Sequence, residues 1–119
     1  MATFVLIHGA GDVGWYWHLV EANLRRRGQD VVAPDLPCEN DAAGLSDYAD
    51  TVITAIGDRT DLVVVAQSLG AFTAPLVCAR TRRAVFVRAH TSGAVNAPSD
   101  WATTTRSVRS PMAVMTVSA

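Results

Sequence analysis

The sequence contains no lysine: all ten basic residues are arginine, set against eleven acidic residues for a formal net charge of −1. A chain so balanced offers no one-signed face to nucleic acid or to an anionic membrane surface, and neither partner is expected. Hydrophobic residues make up 50% and charged residues 18%, which excludes the composition of a disordered chain. No apolar run approaches the roughly 20 residues of a membrane-spanning helix. No cationic stretch precedes Phe4-Val5-Leu6-Ile7, which argues against a secretory signal and for a cytoplasmic protein. Cys38 and Cys78 are the two cysteines, with no CxxC and no Cys/His cluster. Neither a metal site nor a redox pair is indicated, and two reduced thiols are expected. The 19 alanines and the Arg25-Arg26-Arg27 cluster read as coding background and a solvated helix end rather than as a binding surface.

What is present is an alternation of strand and helix signals through the first 90 residues, without an internal repeat. Thr3 to His8 is a short apolar run closed by Gly9. Trp15 to Arg27 follows as a helix, with Trp15, Leu19, Ala22 and Leu24 spaced for one face, basic residues at its end and Gly28 as its stop. Val31-Val32-Ala33 is a second strand, broken by Pro34 and Pro37. Ser46 is the expected N-cap of a helix from about Asp47 to Ile56, with Tyr48, Val52, Ile53 and Ile56 on one side and Gly57 at its end. Leu62 to Ala66 is the clearest buried strand, Leu69 to Arg80 a helix, and Ala84 to Val87 a fourth strand.

Strands that are continuous apolar runs mark a parallel sheet covered on both faces. The expected class is therefore α/β, a predominantly parallel sheet of about four strands with helices on both faces, over residues 1–90. Residues 91–119 are rich in Ser, Thr and Ala and are expected to form an irregular tail or a remnant of a lid segment. Met112 to Val117 is apolar but short and isolated, which leaves it open between a strand and part of that tail. With four strands, Ala84 to Val87 would be an apolar sheet edge, and self-association through it is expected.

Ligands of such sheets bind beyond the carboxyl ends of the strands, and two motifs stand there. Gly9, Gly11 and Gly14 spell GxGxxG after the first strand, and Asp35 follows about 20 residues on, where an acidic residue could bind a ribose hydroxyl. Taken literally, this is a dinucleotide fingerprint of an NAD(P)-dependent oxidoreductase. After the third strand comes Ala66-Gln67-Ser68-Leu69-Gly70, a GxSxG turn with alanine for the first glycine. Such a strand-to-helix turn forces its serine into a strained conformation with the hydroxyl exposed. An ordinary N-cap serine is the alternative for Ser68. The elbow needs a second amide donor from the loop after an earlier strand, and His8-Gly9-Ala10 is placed to supply it, so one arrangement accounts for both loops.

Phe4-Val-Leu-Ile-His-Gly-Ala-Gly followed by Gly14-Trp-Tyr-Trp-His resembles the opening of the α/β-hydrolase superfamily, in particular the branch of plant methyl esterases and hydroxynitrile lyases with their bacterial relatives. Val31-Val-Ala-Pro-Asp-Leu-Pro, Tyr48-Ala-Asp and Val64-Val-Ala-Gln-Ser-Leu-Gly-Ala extend the match to roughly residues 3 to 90. The resemblance implies an esterase acting on a small-molecule ester without a cofactor. Ser68 would be the nucleophile and the Ala10 and Leu69 backbone amides the oxyanion hole. His8, Gly9 and Gly70 would shape the loop and the elbow.

The pattern breaks after Ser68. The fold's triad runs Ser, acid, His, whereas here His90 precedes Asp100, and each is the last of its kind. His90 closes the fourth strand, where a Ser68–His90 pair outside the family's order would make it the base. A loop histidine without a role is the alternative. His18 is expected on a helix face near the pocket rim. Asp100-Trp101 resembles a family segment that its neighbours, Thr91 to Val95, do not fit, and a truncated or frame-shifted product with impaired or absent catalysis is expected.

Overall fold

Strands β1 (Thr3–Ile7) and β3 (Leu62–Gln67) carry continuous apolar runs, and a sheet covered on both faces is what the computed structural model shows. It describes residues 2–81 with their side chains and 84–90 and 114–118 as strands. The order of elements is β1, a 3₁₀ turn at Gly14–Trp17, α1 (His18–Arg26), β2 (Asp30–Val32), α2 (Leu45–Ile56), β3, α3 (Gly70–Thr81), β4 (Ala84–His90) and β5 (Val114–Ser118). The five strands are parallel and lie side by side as β2-β1-β3-β4-β5.

Successive side chains of a strand point to opposite faces, and each face here has its own core. Val5, Ile7, Val64 and Ala66 meet Val52 and Ile56 of α2 and Ala74 and Val77 of α3. Phe4, Leu6, Val63 and Val65 meet Trp17, Val20 and Leu24 on the other side. Every position of β1 is buried as a result, and Thr3, its one polar residue, donates its hydroxyl to Asp30 Oδ2 at 3.1 Å. Ion pairs tie the periphery together. Arg59 reaches Asp30 at 2.6 Å, and Arg80 of α3 pairs with Asp50 and donates to Ser46 Oγ at 2.9 Å on α2.

Four expectations are corrected. The sheet has five strands, because Val114–Ser118 pairs along β4 in the register Phe86↔Val114 to His90↔Ser118. From Phe86 onward β4 is therefore an inner strand rather than the sheet edge that Ala84 to Val87 was expected to form. The α1 face is a different one: Trp15 is 70% and Leu19 73% exposed, while Trp17, Val20 and Leu24 are buried. Leu24 was expected and is buried, but on a 3.6-residue period it lies opposite Trp15 and shares its face with Trp17 and Val20. Finally, Gly44 rather than Ser46 starts α2, its N–H donating to Asp47 Oδ2 at 2.8 Å, while Ser46 lies in the first turn facing Arg80.

Candidate active site

The chain leaves β1 toward β2 on one side and leaves β3 toward β4 on the other. The two connections diverge at the carboxyl ends of adjacent parallel strands, which is where an open α/β sheet forms its crevice. The loop after β1 and the turn after β3 face each other across this point.

His8 follows β1 directly and is fully buried. The Leu36 N–H donates to its Nε2 at 3.0 Å, so the lone pair sits there, and Nδ1–H donates to Gly9 O at 2.7 Å. This tautomer follows from the hydrogen-bond network. Both ring nitrogens are engaged in these bonds, and neither is turned to Ser68. Gly9 O also accepts the Asp12 N–H at 3.4 Å, and Gly14 donates to Asp35 Oδ1 at 2.7 Å. The Asp35 carboxylate, expected on the dinucleotide reading to meet a ribose, is exposed and accepts this bond through Oδ1.

Ser68 has φ +54, the one non-glycine residue at positive φ among the described residues. Holding a side chain in that region costs on the order of 1–3 kcal/mol, which the flanking packing must offset. The packing is close. A Cβ on Gly9 would lie 3.3 Å from Ser68 Cβ and 2.5 Å from Gln67 Oε1. A Cβ on Gly70 would lie 2.8 Å from His8 O and 2.9 Å from Ile7 O. The elbow therefore rests directly on the exit of β1, and Ser68 and Leu69 are exposed above it. No hydrogen bond to another described residue engages the Ala10 or the Leu69 N–H. Gly70→Ala must push α3 off two backbone carbonyls, and we expect it to lower stability by about 1–3 kcal/mol, read as a lower urea midpoint.

A cleft of about 370 Å³ opens beside this point between the loop after β1 and the segment after β2, lined by Gly11, Asp12, Val13 and residues 35–40. A narrower crevice runs under Ala10 and Leu69, with His8, Leu36, Tyr48 and Thr73 on its walls. Tyr48 and Thr73 were not singled out for the site from the sequence, since each lies on a helix at a position that reads as core. Thr73 is fully buried and its hydroxyl has no partner among the described residues. A hydrogen bond with Cys38, and desolvation after it, raise the Tyr48 phenol above its ordinary value. Burial pushes the Cys78 thiol up to about 11, so it stays protonated at neutral pH, and both cysteines are free. No group of three metal-ligating side chains occurs among the described residues, nor a helix long and apolar enough to cross a membrane.

The remaining candidates stand apart from this arrangement or beyond it. His90 is the last residue of β4, one position past the Gln67↔Ala89 pair, and so at the same end of the sheet as Ser68. Asp100 and Trp101 lie outside the described residues. His18 stacks on Trp15 at 3.8 Å and donates from Nδ1 to Trp15 O at 2.8 Å; it lines neither cleft.

Residues 4–116 match the family described as the alpha/beta hydrolase family. Norfluorocurarine synthase 1 of Strychnos is 30% identical over 110 residues, which are 81% of this chain and 41% of that protein. Methylesterase 7 of Arabidopsis thaliana is 30% identical over 110 residues, 80% of this chain and 42% of that one. Among solved structures, an extracellular α/β-hydrolase from Paenibacillus superposes with a TM-score of 0.68 at 22% identity, over 79% of this chain and 43% of its own. The chain thus spans about two fifths of the length of the curated relatives it matches. With its parallel sheet, its elbow after β3 and this match along nearly its whole length, the chain belongs to the α/β-hydrolase family.

Proposed function

We propose that this chain carries the acylating part of a serine esterase site, with a small-molecule carboxylic ester as substrate. The observation that carries the reading is Ser68 at φ +54 on the β3–α3 turn, a conformation that the fold maintains at a cost. Esterases among the relatives supply the substrate class. Ser68 Oγ attacks the ester carbonyl carbon, and the carbonyl π electrons move onto oxygen. The Ala10 and Leu69 N–H groups receive that oxyanion, each donor contributing about 3–4 kcal/mol to the transition state. Collapse expels the alcohol, which takes up the proton lost by Ser68, and water then releases the acid.

That proton needs a carrier. His90, at the end of the neighbouring strand, is the base this reading assigns, and no acidic residue stands between Ser68 and His90 to orient it in the fold's chain order. Loss of triad members in serine hydrolases lowers turnover by about 10⁴–10⁶-fold. Ester turnover by these 119 residues is accordingly expected to be impaired, and single acylation is the step to measure.

An alkyl fluorophosphonate tests it. Ser68 Oγ forms a bond to phosphorus, the P–F bond breaks, fluoride leaves and the hydroxyl proton passes to base or buffer. Intact-mass analysis is expected to show one adduct, mapped to Ser68 and lost in Ser68→Ala. Labelling that survives Ser68→Ala, or no labelling of the wild type, overturns the reading.

A further inference from the structure

The loop after β1 is fastened at both ends to consecutive residues of one neighbouring segment. At its start the Leu36 N–H donates to His8 Nε2 at 3.0 Å; at its end the Gly14 N–H donates to Asp35 Oδ1 at 2.7 Å. Between these anchors the loop makes local bonds, Asp12 N–H to Gly9 O at 3.4 Å and Val13 N–H to Asp12 Oδ1 at 2.9 Å. Gly14 is buried although its acceptor is exposed, and a Cβ on it would lie 2.2 Å from Ala33 O. The loop end is thus seated against the exit of β2 from one side and drawn to a carboxylate from the other. A bond to an ionised acceptor is about twice as strong as a neutral one and shorter, so it holds the seat with little play.

The precision matters because of what lies between the anchors. An oxyanion donor acts over roughly 2.7–3.1 Å, and a displacement of about 1 Å can cost on the order of 100-fold in rate. Gly9 abuts the Ser68 turn, which ties the start of the loop to the nucleophile.

We propose that Asp35 is a positioning residue: its carboxylate holds the Gly14 N–H and thereby fixes the Ala10 N–H relative to Ser68. This rests on the roles given above to Ser68 and Ala10. Asp35 itself touches neither substrate nor nucleophile. The GxGxxG spacing and the acidic residue after it then have one explanation, a loop cross-linked to the next strand's exit.

The test uses the full chain and the same fluorophosphonate, with Asp35→Ala, which removes the acceptor, and Asp35→Asn, which keeps an acceptor oxygen. Asp35→Ala is expected to lower the maximal labelling rate about tenfold or more, with the half-saturating probe concentration within about twofold. Asp35→Asn should restore the rate to within about threefold of wild type. Amide hydrogen exchange reports the loop independently: in Asp35→Ala the Gly14 amide should exchange about tenfold faster, with the β3 amides unchanged. Wild-type labelling and exchange in Asp35→Ala would overturn the proposal, as would an Asp35→Asn variant as slow as Asp35→Ala. If the wild type takes up no probe, the nucleophile reading falls by itself, and unchanged Gly14 exchange in Asp35→Ala would remove the loop anchor as well.

Discussion

Gly14→Ala is expected to lower the stability of the chain by about 3 kcal/mol, the upper end of what one added methyl group does in a packed site. The methyl carbon would stand 2.2 Å from Ala33 O and 3.1 Å from both the Ala33 carbonyl carbon and Asp35 Oδ1. Ala33 O belongs to the backbone leaving β2, so no side-chain rotation clears it; either the loop lifts or the strand end moves. Gly11 provides the control within the same loop. It has φ +68 but nothing within 4 Å of where its Cβ would be, so Gly11→Ala meets only left-handed backbone strain, about 1–2 kcal/mol. The urea midpoints should therefore fall in the order wild type, Gly11→Ala, Gly14→Ala. Equal midpoints for the two variants would show that the loop is not seated against β2. Lifting the loop also withdraws Ala10 from Ser68, so Gly14→Ala should label more slowly with a fluorophosphonate than Gly11→Ala does.

The difference between those two glycines marks how far the sequence could be read. That Gly9, Gly11 and Gly14 mattered was visible, but the same three letters fit a phosphate cradle and a hydrolase loop. The contacts that shape this loop, Gly14 to Asp35 and His8 to Leu36, join segments more than twenty residues apart, and spacing does not encode them. Ser68 was legible because its constraint is local: a strand, a turn and a small residue two positions on. The inner strands were legible for a related reason, since burial on both faces makes β1 and β3 apolar except for Thr3 and Gln67 at their ends. An outer strand has a weaker signature. Val114–Ser118 joins β4 through backbone pairing, which five residues of Val, Met, Thr and Ser permit without announcing. The α1 face was misread because two apolar stripes share one helix, and only the sheet decides which one it covers.

That second stripe turns on Trp17, and Trp17→Ala is expected to cost about 3–5 kcal/mol, the range for emptying a buried aromatic site. Trp17 is the largest fully buried side chain and fills the core between β1, β3 and α1 beside Phe4, Leu6 and Leu24. Against a typical folding stability of about 5–15 kcal/mol, the loss would leave the chain marginal. Trp17→Phe separates volume from polarity. The indole Nε1–H is buried and has no acceptor among the described residues, so removing it breaks no hydrogen bond and relieves a desolvated donor. The phenyl ring keeps most of the packing, and Trp17→Phe is expected to cost about 1.5 kcal/mol or less. In thermal melts, at about 4 °C per kcal/mol for a domain of this size, the Tm should drop by roughly 12–20 °C for alanine and 6 °C or less for phenylalanine. Similar losses for both would mean that the indole N–H is paired or that the pocket collapses around alanine. Trp17 also closes the 3₁₀ turn that begins at Gly14, so it anchors from the core the loop end that Asp35 anchors from the surface. Trp17→Ala should therefore speed exchange at the Gly14 amide as Asp35→Ala does, but with a fall in global stability that Asp35→Ala does not share.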